Sequence, residues 1–274
     1  MNAHNSIPPP FGIGTFRLQG QTVIDSVSNA LALGYRVIDT AQIYENEAEI
    51  GQAIAEAENP PSRDALFITT KIWTENLAAD ALIPSLEHSL AKLRTDHVDL
   101  TLIHWPSPNA AVPLADSIHA LKEAQARGLT RAIGVSNFPS ALLKEAIEIA
   151  GPGVIRTNQI ELHPFLQNRK LADFTQAQGI SVTSYMTLAR GQVMDDAVLQ
   201  DIGRAHGVSP AQIALAWAMQ LGYAVIPSST KRGNLEANLA ALKLELSDDE
   251  MARIAALDRG QRLTDPEGLA PAWD

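Results

Sequence analysis

Leu66-Phe67-Ile68-Thr69-Thr70-Lys71 is a short apolar and β-branched run that breaks off at a cation. Its lack of strict alternation suits a strand buried on both faces, as in parallel sheets covered by helices. Similar runs occupy residues 11–16, 37–39, 98–104, 132–136, 154–160, 181–185 and 223–227, which makes eight. Helical patterns fall between them. Thr22 and Asp25 have the spacing of a capping box, with Val23, Val27 and Leu31 following at helical intervals. Leu82, Leu86, Leu90 and Leu93 line one face of a later helix. Ser209, Pro210 and Gln212 supply an N-cap, a first-turn proline and a box partner. Ser247 and Glu250 form another box, with Leu246 and Met251 placed to staple it and Ile254 and Leu257 continuing the stripe. Gly34, Gly128, Gly179 and Gly222 stand where helices should stop.

Buried strands alternating with helices predict either a closed barrel or an open, doubly wound sheet. The dinucleotide fingerprint of the open sheet is missing, because Gly12 and Gly14 begin a G-x-G but Arg17 stands where the third glycine belongs. No P-loop occurs. The expected fold is α/β: a (β/α)₈ TIM barrel of eight parallel strands, one domain over residues 1–274, with the active site at the carboxyl ends of the strands.

A hydrophobic share of 46% supports a large core. The net charge of −10 argues against a nucleic-acid partner. With no cysteine, thiolate nucleophiles, disulfides and Cys-ligated metals are excluded, and a reducing cytoplasm is compatible. Residues 1–10 lack the charged and apolar regions of a secretion signal. Residues 208–230 carry no charge and approach membrane-spanning length, but Pro210, Gly222 and Pro227 divide them and Gln212 and Gln220 lie inside. They read as a buried helix, a turn and a buried strand, not as a membrane span.

In barrels the reactive groups project from the carboxyl ends of strands. The second strand ends in Asp39, the third in Lys71 and the fourth in His104. The fifth ends in Ser136-Asn137, the sixth carries Asn158, Gln159 and Glu161, the seventh ends in Tyr185 and the eighth in Ser228-Ser229. Burying Asp39 or Lys71 unpaired is costly, so the two are expected to pair. Tyr44 follows Asp39 by five residues, far enough to leave the strand and turn back over the mouth. A phenol is a poor acid, with an unperturbed pKa of ~10. A nearby ammonium is expected to lower it, with a carboxylate behind the lysine and a histidine beside it to donate to a carbonyl oxygen. That set suits proton donation to a developing oxyanion.

The chain resembles the aldo-keto reductases. The likeness rests on Gly14-Thr15-Phe16, Asp39 through Tyr44-Glu45-Asn46-Glu47, Thr70-Lys71-Ile72-Trp73, Leu102-Ile103-His104-Trp105-Pro106, Ile133-Gly134-Val135-Ser136-Asn137-Phe138 and Asn158-Gln159-Ile160-Glu161. The resemblance implies NADPH-dependent reduction of small aldehydes, α-dicarbonyls such as methylglyoxal, or keto-sugar acids such as 2,5-diketo-D-gluconate. Tyr44 would be the general acid, Lys71 its partner, Asp39 the anchor and His104 the carbonyl orienter. Ser136, Asn137 and Gln159 would bond the nicotinamide carboxamide, and Tyr185 would stack on the ring. Gly14, Thr15 and Asp39, then Met186, Thr187, Leu188, Arg190 and Gly191, then Pro227, Ser228, Ser229, Thr230, Lys231, Arg232 and Asn238, would complete the cofactor contacts. Phe16, Trp73, Trp105 and Phe138, with His104, are expected to wall the substrate pocket, while Trp273 in the tail is open to either role.

Three departures from the family pattern stand out. Ser228 and Asn234 occupy positions where many members carry cations for the 2′-phosphate, and few residues are left for an N-terminal hairpin ahead of the first strand. Lys231 and Arg232, at the start of a helix, are replacement cations, and Arg17 and Arg190 are further candidates. No metal site is expected: His4, His88, His97, His119 and His206 lack ligand spacing, and Glu161-Leu162-His163 is the nearest approach to a ligand pair. The other partner expected is a small carbonyl substrate, with the chain a monomer. A non-catalytic NADP-binding barrel and a Schiff-base enzyme using Lys71 are the competing readings.

Overall fold

In the computed structural model residues 8–274 are described, and all eight apolar runs become strands of one parallel sheet. The expectations about a leader and a terminal hairpin fall largely on residues 1–7, outside the described residues. The strands are β1 (Ile13–Gly14), β2 (Val37–Asp39), β3 (Phe67–Ile72), β4 (Val98–Ile103), β5 (Thr130–Ser136), β6 (Ile155–Glu161), β7 (Ser181–Tyr185) and β8 (Ala224–Val225). Each pairs in parallel with the next in chain order. The two ends also meet: Phe11 bridges Val225, Gly12 N donates to Val225 O at 2.9 Å, and Gly14 N donates to Pro227 O at 3.3 Å. A Cβ on Gly14 would lie 2.5 Å from the Ile226 carbonyl oxygen, so the approach there requires glycine.

The helices are α1 (Gly20–Ala32), α2 (Glu47–Ala55), α3 (Ala79–Leu93), α4 (Leu114–Ala126), α5 (Ser140–Ala150), α6 (Arg169–Ala177), α7 (Ala197–His206), α8 (Pro210–Gln220), α9 (Arg232–Ala240) and α10 (Asp248–Ala255). The α3 leucines are all buried, as their spacing predicts. Both boxes at Ser209–Gln212 and Ser247–Glu250 form. The box expected at Thr22 does not. The N-cap is Gln19, three residues earlier, so that α1 starts at Gly20, and Asp25 accepts from the Gln21 side chain at 2.8 Å. Helix α7 was not anticipated, although Asp196 caps it by accepting from Val198 N and Leu199 N, and Leu199 and Ile202 bury its inner face.

No helix among the described residues is long and apolar enough to cross a membrane. Residues 208–230 contain α8, a turn at Gly222 and β8, and Gln220 exchanges two hydrogen bonds with the Leu246 backbone. At the amino end of β4, buried Asp99 binds Arg63 at 2.7 Å and Arg131 at 3.0 Å. The ionisable groups at the other ends of the strands are arranged quite differently.

Candidate active site

Asp39 ends β2 beside Thr69 of β3, and Lys71, two residues further along β3 on the same face, reaches back to it. Lys71 Nζ lies 2.5 Å from Asp39 Oδ1, 2.9 Å from the Thr40 carbonyl and 3.4 Å from Tyr44 Oη. Three acceptors match the three donors of an ammonium. The second oxygen, Asp39 Oδ2, accepts from Gln159 Nε2 at 2.8 Å. Asp39 is thus held from β3 and from β6. Tyr44 closes a short 3-10 turn, Gln42–Tyr44, followed by left-handed Glu45. Asn46 fixes that turn: its Nδ2 donates to the Thr15 and Leu18 carbonyls, and its Oδ1 accepts from Thr40. Gln42 Oε1 accepts from Trp73 N at 2.9 Å, which sets the start of the next loop.

His104 follows β4 directly. Its ring meets Tyr44 edge-on at 5.6 Å and Trp73 edge-on at 5.3 Å. Its Nδ1 is buried without a hydrogen-bond partner among the described residues, and its backbone carbonyl accepts from Asn137 Nδ2 at 3.0 Å. Burial, reinforced by the Lys71 charge, holds the imidazole well below its usual pKa of 6.5, so it is neutral near pH 7. Burial also pulls Lys71 below its ordinary range, against the opposing pull of Asp39. The expected depression of the Tyr44 phenol is not found. Withdrawal of the phenol from water, with Asp39 adding to it, raises its pKa well above 10. Tyr44 therefore stands as a neutral phenol with its proton in place, and Lys71 is positioned to meet negative charge only once that proton leaves.

A cavity of about 730 Å³ opens over these groups. Asp39, Tyr44 and His104 line it, with Phe16, Trp73 and Trp105. Gly14, Ser136, Asn137, Gln159 and Tyr185 also face it, as do Met186, Thr187, Leu188, Arg190 and Gly191 of the loop after β7, and Pro227 and Ser228 after β8. Asn137, at φ 62°, turns its amide to accept from Tyr185 Oη at 2.6 Å. Ser136 Oγ donates to the Gln159 carbonyl at 2.8 Å.

Some expected residues lie elsewhere. Phe138 is fully buried in the hydrophobic core and is not a pocket wall, because the chain after Asn137 turns inward towards α5. Thr15 is buried beneath the cavity, donating to the Asp39 carbonyl at 2.9 Å. Ser229, Thr230, Lys231 and Arg232 do not line the cavity; Lys231 occupies the N-cap position of α9 without a side-chain capping bond, and Arg232 donates to Asn29 at 3.1 Å. Asn238 is buried within α9. Arg17 packs over the Phe16 ring at the rim. Reasoning from sequence missed Ile43, Ile226 and the wall made by the tail residues Leu263, Thr264, Asp265, Pro266 and Leu269. The block Pro266-Glu267-Gly268-Leu269-Ala270-Pro271 was the available signal for that wall.

Residues 10–259 match the model of the aldo/keto reductase family. The chain belongs to that family. A methylglyoxal reductase DkgB of Yersinia pestis is 61% identical over 266 residues, covering 97% of this chain and 99% of that protein. A glyoxal reductase of Bacillus subtilis is 38% identical over 262 residues, covering 95% and 93%. A crystal structure described as a candidate 2,5-diketo-D-gluconic acid reductase B superposes with a TM-score of 0.94 at 42% identity, covering 99% of this chain and 96% of that one. The reductase is an oxidoreductase. Within the family, the blocks Thr101-Leu102-Ile103-His104-Trp105-Pro106-Ser107-Pro108-Asn109 and Pro227-Ser228-Ser229-Thr230-Lys231-Arg232 resemble the bacterial 2,5-diketo-D-gluconate reductase B, also described as a methylglyoxal reductase. The relatives' names agree with that likeness.

Proposed function

We propose that this aldo/keto reductase uses NADPH to reduce small aldehydes, α-dicarbonyls or keto-sugar acids to alcohols, with Tyr44 as the proton donor. The observation that carries this reading is a neutral phenol on the cavity wall, 3.4 Å from a buried ammonium that is itself locked to a carboxylate. On this reading the sheet is a closed (β/α)₈ barrel, one domain acting as a monomer, and the site lies at the carboxyl ends of its strands. A cytoplasmic setting fits a chain without cysteine.

The residues present fit a nicotinamide cofactor. The cavity is larger than a three-carbon carbonyl needs, and one side of it is lined by the amides of Asn137 and Gln159, the Ser136 hydroxyl and the Tyr185 ring. Those groups would hold the carboxamide and the ring. The loop carrying Met186, Thr187, Leu188, Arg190 and Gly191 would enclose the phosphates, and Lys231 and Arg232 would stand near the adenosine end. When bound, the cofactor supplies hydride to the carbonyl carbon. Tyr44 Oη–H gives its proton to the carbonyl oxygen as that oxygen gains charge. Lys71 then stabilises the phenolate left behind, and a proton from solvent restores the phenol. His104, being neutral, donates a hydrogen bond that orients the carbonyl. Asp39 keeps Lys71 in place. Phe16, Trp73 and Trp105 exclude water from the reacting oxygen.

The test is turnover. Purified protein with NADPH and a panel that includes methylglyoxal should show cofactor consumption matched by alcohol formation. Cofactor binding without turnover of any carbonyl would overturn the reading in favour of a non-catalytic barrel.

A further inference from the structure

After α10 the chain runs without regular structure through residues 256–274 apart from isolated turns. Such a backbone satisfies only a few of its N–H groups within itself, so much of its order must come from its neighbours. Here it comes from the connection between β6 and α6. Glu161 Oε1 accepts from Leu263 N at 2.7 Å, and Oε2 accepts from Thr264 N at 2.8 Å. His163 Nε2 lies 3.0 Å from Glu161 Oε1, and both side chains are fully buried. Because His163 Nδ1 accepts from Phe165 N, Nε2 carries the proton and donates to Glu161. The Phe165 carbonyl accepts from Arg259 N and Gln261 N, and the Arg259 guanidinium lies 4.0 Å over the Phe165 ring. Burial raises the Glu161 pKa, but His163 and the two amides outweigh it and hold the carboxyl below its usual range.

We propose that Glu161 and His163 are positioning residues, a buried clamp that fixes the C-terminal tail across the cavity and so sets which carbonyl substrates fit. The inference rests on the reading of the cavity as the reduction site. Glu161 itself does not line the cavity; Leu263 and Thr264, which it holds, do. Beyond the clamp, Asp265 is braced by Trp273 Nε1 at 2.8 Å, and Trp273 packs edge-on against the cavity residue Trp105. One buried carboxylate thereby fixes the starting point of a wall that continues to Pro266 and Leu269. Leu263 is also held from the loop after β7, where the Arg190 guanidinium donates to its carbonyl at 2.8 Å. Loosening it should weaken binding of carbonyls long enough to touch it and leave the chemical step alone.

The experiment compares the wild type with Glu161→Gln in the full chain, using NADPH with methylglyoxal and with a bulkier aldehyde, 4-nitrobenzaldehyde. Losing one charge-assisted hydrogen bond corresponds to about tenfold. We expect KM for the bulky aldehyde to rise about tenfold and KM for methylglyoxal to rise less, with kcat and the NADPH Kd staying within about threefold because Arg190 still holds the Leu263 carbonyl. Unchanged KM for both, or a fall in kcat together with weaker cofactor binding, would overturn the proposal. Should the variant not fold, amide exchange on the wild type decides. The Leu263 and Thr264 amides should exchange at least about tenfold more slowly than that of Asp265. Equal rates at all three would overturn the clamp. Intact reduction by Tyr44→Phe would instead remove the catalytic reading while the exchange result stood.

Discussion

Asp39, Lys71 and His104 sit at or beside the ends of β2, β3 and β4 and are buried, while Ser228, Thr230, Lys231 and Arg232 follow β8 on an exposed stretch. In the first region every charged group has a fixed partner: Lys71 has three acceptors, and Asp39 is gripped from both sides. In the second, Arg232 makes one bond to Asn29 and Ser229 bonds its own turn. On the proposed function, the contrast follows from what each region would do. Proton transfer needs groups held to within a fraction of an ångström, which strands provide. Recognition of a ligand's distant end tolerates looser supports and varies more readily. Changes in the first region should therefore alter rate, and changes in the second should alter binding.

The largest effect is expected at Tyr44. Tyr44→Phe removes one hydroxyl from a half-buried ring and should leave folding and cofactor affinity close to wild type. It should lower kcat at least ~100-fold, the usual scale for losing a general acid. Near-wild-type turnover would break the distinction between the two regions at its strongest point. Lys71→Met should come next. If the ammonium acts by stabilising the phenolate, its loss is strongly coupled to that of Tyr44, and a double-mutant cycle should show far less than additive damage. The variant also leaves Asp39 buried without its ion partner, a change that typically costs about 3–5 kcal/mol, so a lower melting temperature should accompany the kinetic loss. Additive kinetic losses would mean that the two groups act separately.

The pH dependence sharpens the same point. Tyr44 keeps its proton above its usual pKa of 10, and His104 stays neutral below its usual 6.5. The state with a protonated phenol and a neutral imidazole therefore persists throughout the interval between those two values. Single-turnover reduction should vary by less than about threefold upward from pH 6.5 until Lys71, whose range burial lowers, gives up its proton. A steep limb near pH 7 would show that His104 titrates there against the effect of burial, and an alkaline limb that survives in Lys71→Met would show the same of Tyr44.

How far these regions could be read from sequence also differs. The eight strands, the Asp39–Lys71 pair and the boxes at Ser209 and Ser247 were legible because each follows from local rules: apolar runs, unpaired-charge cost and cap spacing. Helix α7 was passed over because Ala197 and Gly203 dilute its apolar stripe, although Asp196 marked its start. Phe138 was misplaced because neighbouring positions on a loop need not face the same way; Asn137 turns to the cavity and Phe138 into the core. The direction of the Tyr44 shift was misjudged because adjacency to an ammonium was visible in the sequence, whereas withdrawal from water was not. The tail wall escaped for a similar reason: Glu161 reaches Leu263 across a hundred residues of chain, and no local pattern records that contact.

The smallest effect concerns the exposed stretch after β8, where the cofactor's 2′-phosphate would be read. NADPH differs from NADH only by that phosphate, so a preference requires cations or donors close to the adenosine ribose. Ser228 and Asn234 lack the charges that many family members carry there, and Lys231 and Arg232 stand at the cap and first residue of α9 with no acidic residue in its first turn. Cations at a helix amino end oppose its dipole, and a bound anion would relieve the conflict. Both side chains are exposed, so each contact is screened by water and salt. The double variant Lys231→Ala with Arg232→Ala should raise the NADPH Kd about tenfold, since two such contacts are each worth about a factor of three. The NADH Kd should change by less than about twofold, and kcat should hold. Raising the ionic strength should narrow the wild-type preference for NADPH and leave the variant almost unaffected. Equal weakening of both cofactors, or a wild type that favours NADH, would show that these two residues do not read the phosphate.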